Sequence, residues 1–192
     1  MKYSFFAAAA LTAVLSTNVR AADDLASRLA AVEDRLAIEQ LVMGDYPRAL
    51  DELRFKDYVA LFTSDGELIL PGFDPLEGPA AISKFLSTPG VFDPPPAPGA
   101  PKHAPSMPKP YQTPHITSNP SYKVTGKSAT GGAYWTEVSL VDGKTQVTLS
   151  GHYRDELKKV NGQWKFAKRT IVPDVQSPAP TAPSAAAKAK AP

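Results

Sequence analysis

Two side chains in this sequence could together move a proton, Asp51 and His115. A histidine ring titrates near pH ~6.5, so it can take up a proton under ordinary conditions. An adjacent carboxylate fixes the ring's tautomer and stabilises the imidazolium that forms. In mostly apolar surroundings, such a pair could remove a proton alpha to a carbonyl or beta to a leaving group. General-base help of this kind is worth roughly 10²–10⁴-fold. Each residue also has a plainer reading. Asp51 follows a helix break and could be a solvated cap. His115 shares one strand face with Thr117, Asn119 and Ser121, while Ile116, Tyr122 and Val124 take the other. A polar face like this either meets solvent or lines a polar pocket. Tyr46, Arg48, Asp51 and Phe55 fall at helical offsets that could gather several of them on one side. Tyr46 and Asn119 are then the candidate donors to a substrate oxygen. His152, among Ser150, Arg154 and Glu156, reads as a surface histidine, and His103 as a solvated one.

The elements that must position this pair follow from periodicity. Leu25, Leu29, Val32 and Leu36 recur at helical steps, and Ile38, Leu41, Val42 and Leu50 continue the stripe. Gly44 and Pro47 interrupt it, because an internal proline removes a hydrogen bond and clashes with the preceding turn at a cost of ~3 kcal/mol. A bend is expected there, then a second helical segment from Arg48 to Phe62 ending at Ser64-Asp65-Gly66. Glu67–Leu70 reads as a short strand. Ala80–Leu86 reads as a small helix, with Pro79 in its first turn, where the missing donor matters little. From His115 onward the pattern is strands: His115–Val124, Ala129–Val141, Thr145–Val160 and Gln163–Val172. The turns between them are Thr125-Gly126, Asp142-Gly143 and Asn161-Gly162, the last the strongest hairpin signal. Helices placed before a run of antiparallel strands give an α+β fold, a curved sheet with helices across its open face and a cone-shaped hollow between them.

Two segments stand outside this pattern. Residues 89–114 hold ten of the twenty prolines. They should be extended or irregular, an insertion at the pocket mouth with Phe92, Met107 and Tyr111 able to dock. From Pro173 the Pro/Ala-rich tail should be disordered. Residues 1–21 pair a positive start at Lys2 with an apolar run and a small-residue exit at Val19 and Ala21. They read as a cleaved signal peptide, which implies a periplasmic or secreted protein of bacterial style. The apolar run is shorter than the ~20 residues needed to span a bilayer, so no stable membrane anchor is expected after cleavage. Removing Lys2, Arg20, Lys188 and Lys190 leaves 17 basic groups against 19 acidic ones. That near-neutral balance argues against a nucleic-acid partner. With no cysteine, thiol nucleophiles and disulfides are excluded. Phosphate loops, HExxH, EF-hand and GxSxG patterns are absent, and three scattered histidines give neither a metal site nor a cofactor motif.

RLAIEQLVMGDYPRALDELRFKDYVALFTSDGEL, GPAAISKFL, PHITSN and GHYRDELKKVNGQWKFAKRTI, in this order, resemble the SnoaL-like branch of the nuclear-transport-factor-2-like superfamily. The last of these, with its NG turn followed by tryptophan, is particularly typical, and the resemblance covers about Leu25 to Val172. It implies a curved sheet with helices around a conical pocket, and relatives such as scytalone dehydratase, hexachlorocyclohexane dehydrochlorinase, ketosteroid isomerase, polyketide cyclases and limonene epoxide hydrolase. Ketosteroid isomerase uses an aspartate base with a tyrosine donor. The resemblance implies that Asp51 and His115 take the positions of the dehydrochlorinase's aspartate and histidine. The dehydratase's second histidine has no counterpart; Trp135, Glu137 and Ser139 occupy that region, and Trp135 joins Tyr46 and Asn119 as a candidate substrate contact. The expectation is a cofactor-free lyase or isomerase acting on a small apolar or polyketide-like molecule, with His115 as base and Asp51 as its orienter. The alternative is a non-catalytic domain of the same fold that binds a small ligand or forms a homodimer. An epoxide hydrolase would need a carboxylate-rich water site that the sequence does not reveal.

Overall fold

The computed structural model describes residues 23–88, 114–141 and 144–176. Residues 1–21, the expected signal peptide, nearly all of the proline-rich segment, with its Phe92, His103, Met107 and Tyr111, and the tail beyond residue 176 lie outside them.

Helix α1 occupies residues 23–39. Pro47 does not break the winding of the chain beyond it. The backbone passes instead through a π turn, Gln40–Asp45, closed by the Tyr46 N–H donating to the Leu41 carbonyl, and then continues as α2, Tyr46–Asp51, with Pro47 in its first turn. A π turn holds one extra residue and is wider than an α turn. The expected sharp bend is thus replaced by a rewound turn that tolerates the proline ring.

The apolar stripe divides in two. Ile38, Leu41, Val42, Tyr46, Ala49 and Leu50 are buried, whereas Leu25, Leu29, Val32 and Leu36 are all more than half exposed. Spacing identifies an apolar face; it does not say how far the sheet extends beneath it.

Helix α3 is Phe55–Ala60, joined to α2 through Leu53 at φ 54°. The chain then enters β1, Phe62–Ile69, so Ser64-Asp65-Gly66 lies within a strand rather than at a turn. A register shift between Phe62 and Glu67 absorbs this polar tripeptide. Next come a two-residue strand β2, Leu76–Glu77, and α4, Gly78–Leu86, with Pro79 in its first turn as expected.

The remaining strands are β3, His115–Thr125; β4, Ser128–Val141; β5, Lys144–Val160; and β6, Gln163–Gln176. Strand β6 runs through Pro173, four residues beyond the expected end. The order β2-β1-β6-β5-β4-β3 is antiparallel throughout, except that β1 lies parallel to β6. The sheet is therefore mixed, open and curved, a refinement of the antiparallel expectation within the same α+β class. Asn161 and Gly162 both have positive φ, 50° and 81°, the signature of the two-residue hairpin turn. The core between helices and sheet includes Tyr46, Tyr58, Phe62, Leu68, Ile82, Trp135, Tyr153, Leu157, Trp164 and Phe166. Among the described residues no helix is long and apolar enough to cross a membrane.

Candidate functional site

Asp51 is the last residue of α2, and His115 is the first of β3. Proline at 114 cannot donate to a ladder, but its carbonyl accepts the Val138 N–H at 3.2 Å, which pins the start of β3 against β4. From there His115 meets Asp51 twice. Its ring Nδ1 lies 2.6 Å from Asp51 Oδ1, and its backbone N–H donates to Oδ2 at 3.0 Å. Both carboxylate oxygens thus serve one histidine. The carboxylate accepts a hydrogen from Nδ1, which leaves Nε2 as the nitrogen with a free lone pair in the neutral ring. The two side chains are largely but not fully enclosed, 17% and 15% exposed. A cleft of about 320 Å³ reaches them, with Met43, Pro47, Arg48 and Pro114 among its walls.

Across the ladder, His115 stands opposite Glu137 and Thr117 opposite Trp135. Glu137 Oε2 lies 3.8 Å from His115 Nε2. Its other oxygen accepts the Thr148 hydroxyl at 3.1 Å, and that hydroxyl lies 3.1 Å from Ser139 Oγ. Thr148 is the extra residue of a bulge, since Glu137 pairs with Leu149 and Val138 with Val147. Bulges re-aim side chains next to sites. Among the described residues no group of three or more ligand-type side chains is placed to hold a metal ion.

Deeper in, the Trp135 ring stacks on Tyr153 at 6.0 Å and 26°. The space for that ring comes from Gly151, where a Cβ would lie 2.9 Å from it. Trp135 Nε1 and Thr117 Oγ1 are buried and have no hydrogen-bond partner. Arg169 lies below, fully buried, with its guanidinium carbon 3.9–4.0 Å from the ring centroids of Tyr46, Tyr153 and Phe166. Asp155 receives its Nε and Nη2 at 2.8 and 2.7 Å, and also accepts the Tyr122 hydroxyl at 2.5 Å. Burial works against the arginine's charge, but Asp155, with smaller help from Tyr46 and Tyr153, outweighs it and the pKa stands well above the ordinary value. Burial raises the hydroxyl pKa of Tyr46 above the usual tyrosine value and that of Tyr58 well above it.

The expected site residues are not all together. Tyr46 is buried rather than at the cleft; its oxygen accepts the Tyr58 hydroxyl at 2.7 Å. Asn119 departs from the face of His115 and Thr117. Ser118 pairs with Tyr134 and Ser121 with Gly132, so two residues, Asn119 and Pro120, face one, and Asn119 takes φ 51°. Past this bulge, Tyr122 turns inward to Asp155 and Asn119 is exposed beside Tyr134 and His152. Period-two reading fails wherever a residue is inserted. His152 lies on that outer face, its Nδ1 2.9 Å from Asp174. Arg169 and Glu137 carry roles that periodicity alone does not reveal. Trp164 and Phe166 point inward, and Lys168 would come next by alternation. A register shift across Glu156/Leu157 hands the inward position to Arg169 instead. For the bulge in β3, Pro120 is the one sequence signal, since a proline cannot donate to the ladder.

A comparison with curated proteins finds no match to this chain. Solved structures do resemble it. An NTF2-like protein with a cystatin-like fold from Novosphingobium aromaticivorans superposes with a TM-score of 0.65 at 21% identity, over 81% of this chain and 91% of that one. A scytalone dehydratase candidate from the same organism gives a TM-score of 0.58 at 27% identity, over 79% and 90%. A hexachlorocyclohexane dehydrochlorinase, LinA type 2, gives 0.62 at 17% identity, over 81% and 95%. At such identities, the first and third likenesses speak for the fold. The SnoaL-like domain pattern itself matches residues 30–170, and the chain therefore belongs to the SnoaL-like domain family, within the NTF2-like superfamily.

Proposed function

We propose that this protein is an exported, cofactor-free lyase or isomerase that removes a proton from a small apolar or polyketide-like molecule, with His115 as base and Asp51 as its orienter. The observation that carries the reading is the pair of hydrogen bonds that the Asp51 carboxylate accepts from His115, at 2.6 Å from the ring and 3.0 Å from the backbone N–H. It leaves Nε2 free to accept a proton. Similarity to a scytalone dehydratase candidate is consistent with elimination chemistry.

The test is a panel of one- and two-ring β-hydroxy and β-chloro ketones, followed by enone absorbance after dialysis against EDTA. Wild-type protein is expected to form the enone. His115→Ala should lower turnover by roughly 10²-fold or more, while its thermal midpoint stays within about 2 °C of wild type. Saturable ligand binding by the wild type with no turnover would instead favour the binding-domain alternative.

A further inference from the structure

We infer that Glu137 is a second acid–base group of this site, the acid that protonates a departing oxygen. The inference rests on the reading of His115 as base. Glu137 is 20% exposed on its side chain, and its Oε2 lies 3.8 Å from His115 Nε2, the nitrogen that Asp51 leaves free. That separation is too long for a direct hydrogen bond. It sets the two atoms side by side, near enough for one to take a substrate's hydrogen while the other meets its leaving group. Glu137's direction is fixed from behind. Thr148, re-aimed by its bulge, donates to Oε1 and stands against Ser139. The carboxyl therefore faces His115 with one oxygen and its support with the other.

The chemistry balances with one shared proton. In the reactive form the imidazole is neutral and Glu137 is a carboxylic acid. His115 Nε2 takes the proton from the substrate carbon, and the C–H electron pair becomes the new C=C bond. The C–O bond breaks with its electron pair on oxygen, and that oxygen takes the proton from Glu137, leaving as water. The imidazolium and carboxylate that remain return to the starting form when the proton passes from Nε2 to Oε2. Nothing external is consumed. A chloride leaving group needs no such proton, because chloride departs as a stable anion.

The leaving group is therefore the discriminating variable. Glu137→Gln keeps the size of the side chain and its acceptor for Thr148, and is tested on a β-hydroxy ketone and the matching β-chloro ketone. The expected result is a loss of roughly 10²-fold or more in kcat on the hydroxy compound, with a much smaller loss on the chloro compound. An unchanged thermal midpoint certifies the fold of the variant. Equal slowing of both compounds would overturn the acid role and leave Glu137 a positioning residue. No slowing of either would overturn it outright. A wild type that eliminates chloride but not hydroxide would also overturn it, while leaving the His115 reading intact. A wild type inactive on both compounds would overturn that reading, and the role of Glu137 with it.

Discussion

A buried guanidinium surrounded by three aromatic rings is stable only if its charge is answered, and here one carboxylate answers it. Arg169 and Asp155 are 0% and 4% exposed, and two hydrogen bonds join them. Removing one partner from such a pair strands the other, at about 3–5 kcal/mol, whereas replacing both with apolar groups is often tolerated. Arg169→Met should therefore lower unfolding stability by about 3–5 kcal/mol in urea titration. Arg169→Met with Asp155→Leu should recover much of that loss, although the Tyr122 hydroxyl would lose its acceptor. A double variant as unstable as the single one would show that the cation contributes packing against Tyr46, Tyr153 and Phe166 rather than charge balance. At this scale the sequence was legible in part. Asp51 and His115 could be singled out because few groups in the chain suit proton transfer, and they do meet. Tyr46 and Asn119 could not be placed, since a buried hydroxyl pair and a bulge depend on partners 12 residues away in one case and on a neighbouring strand in the other.

Strand irregularities decide which side chains the sheet presents to the helices. Of the register shifts among the described residues, those at Asn119-Pro120, Thr148 and Ala167 do this most clearly. They turn Tyr122, Thr148 and Arg169 toward positions that alternation would give to other residues. Element existence was readable in advance, because helical stripes and the Asn161-Gly162 turn are local signals. Register was not, because an inserted residue is visible only against its partner strand. Glycine marks the places where strands and rings come closest. A Cβ on Gly151 would lie 2.2 Å from the Val172 carbonyl oxygen and 2.9 Å from the Trp135 ring. The first is backbone and cannot rotate away, so Gly151→Ala must spread β5 from β6 or displace Trp135. The expected loss is toward the upper end of the about 1–3 kcal/mol typical of overpacking, with a shift in tryptophan emission. A variant as stable as wild type, with unchanged emission, would mean that the sheet is softer here than its packing implies.

For the molecule as a whole, the helical layer must be held to a sheet that covers only part of it. The first half of α1 leaves Leu25, Leu29 and Val32 exposed, so the attachment begins near Asp34. Its Oδ1 accepts Lys159 Nζ at 2.5 Å and Trp164 Nε1 at 2.9 Å, tying α1 to β5 and β6. The Lys159 hydrogen bond is the main reason the Asp34 carboxyl titrates below the ordinary carboxylate value; partial desolvation opposes it, and the bond from Trp164 adds to it. A carboxylate whose folded pKa is depressed contributes stability above its unfolded pKa, near ~3.9, and loses that contribution as pH falls through the folded value. The wild-type advantage over Asp34→Asn should therefore be constant above pH ~5, begin to shrink near pH ~4, and vanish once the folded-state carboxyl is protonated. Taking the difference between the two proteins cancels the titration of the other carboxylates. Urea midpoints measured from neutral pH to about pH 2, read through the emission of Trp164 against that of Trp135, follow this contact, because these are the only two tryptophans. A difference that stays constant through this range would mean that Asp34 ties the helix to the sheet through a hydrogen bond indifferent to its charge. A difference that grows on acidification would reverse the sign of the linkage, and the attachment of the helical layer would have to lie elsewhere.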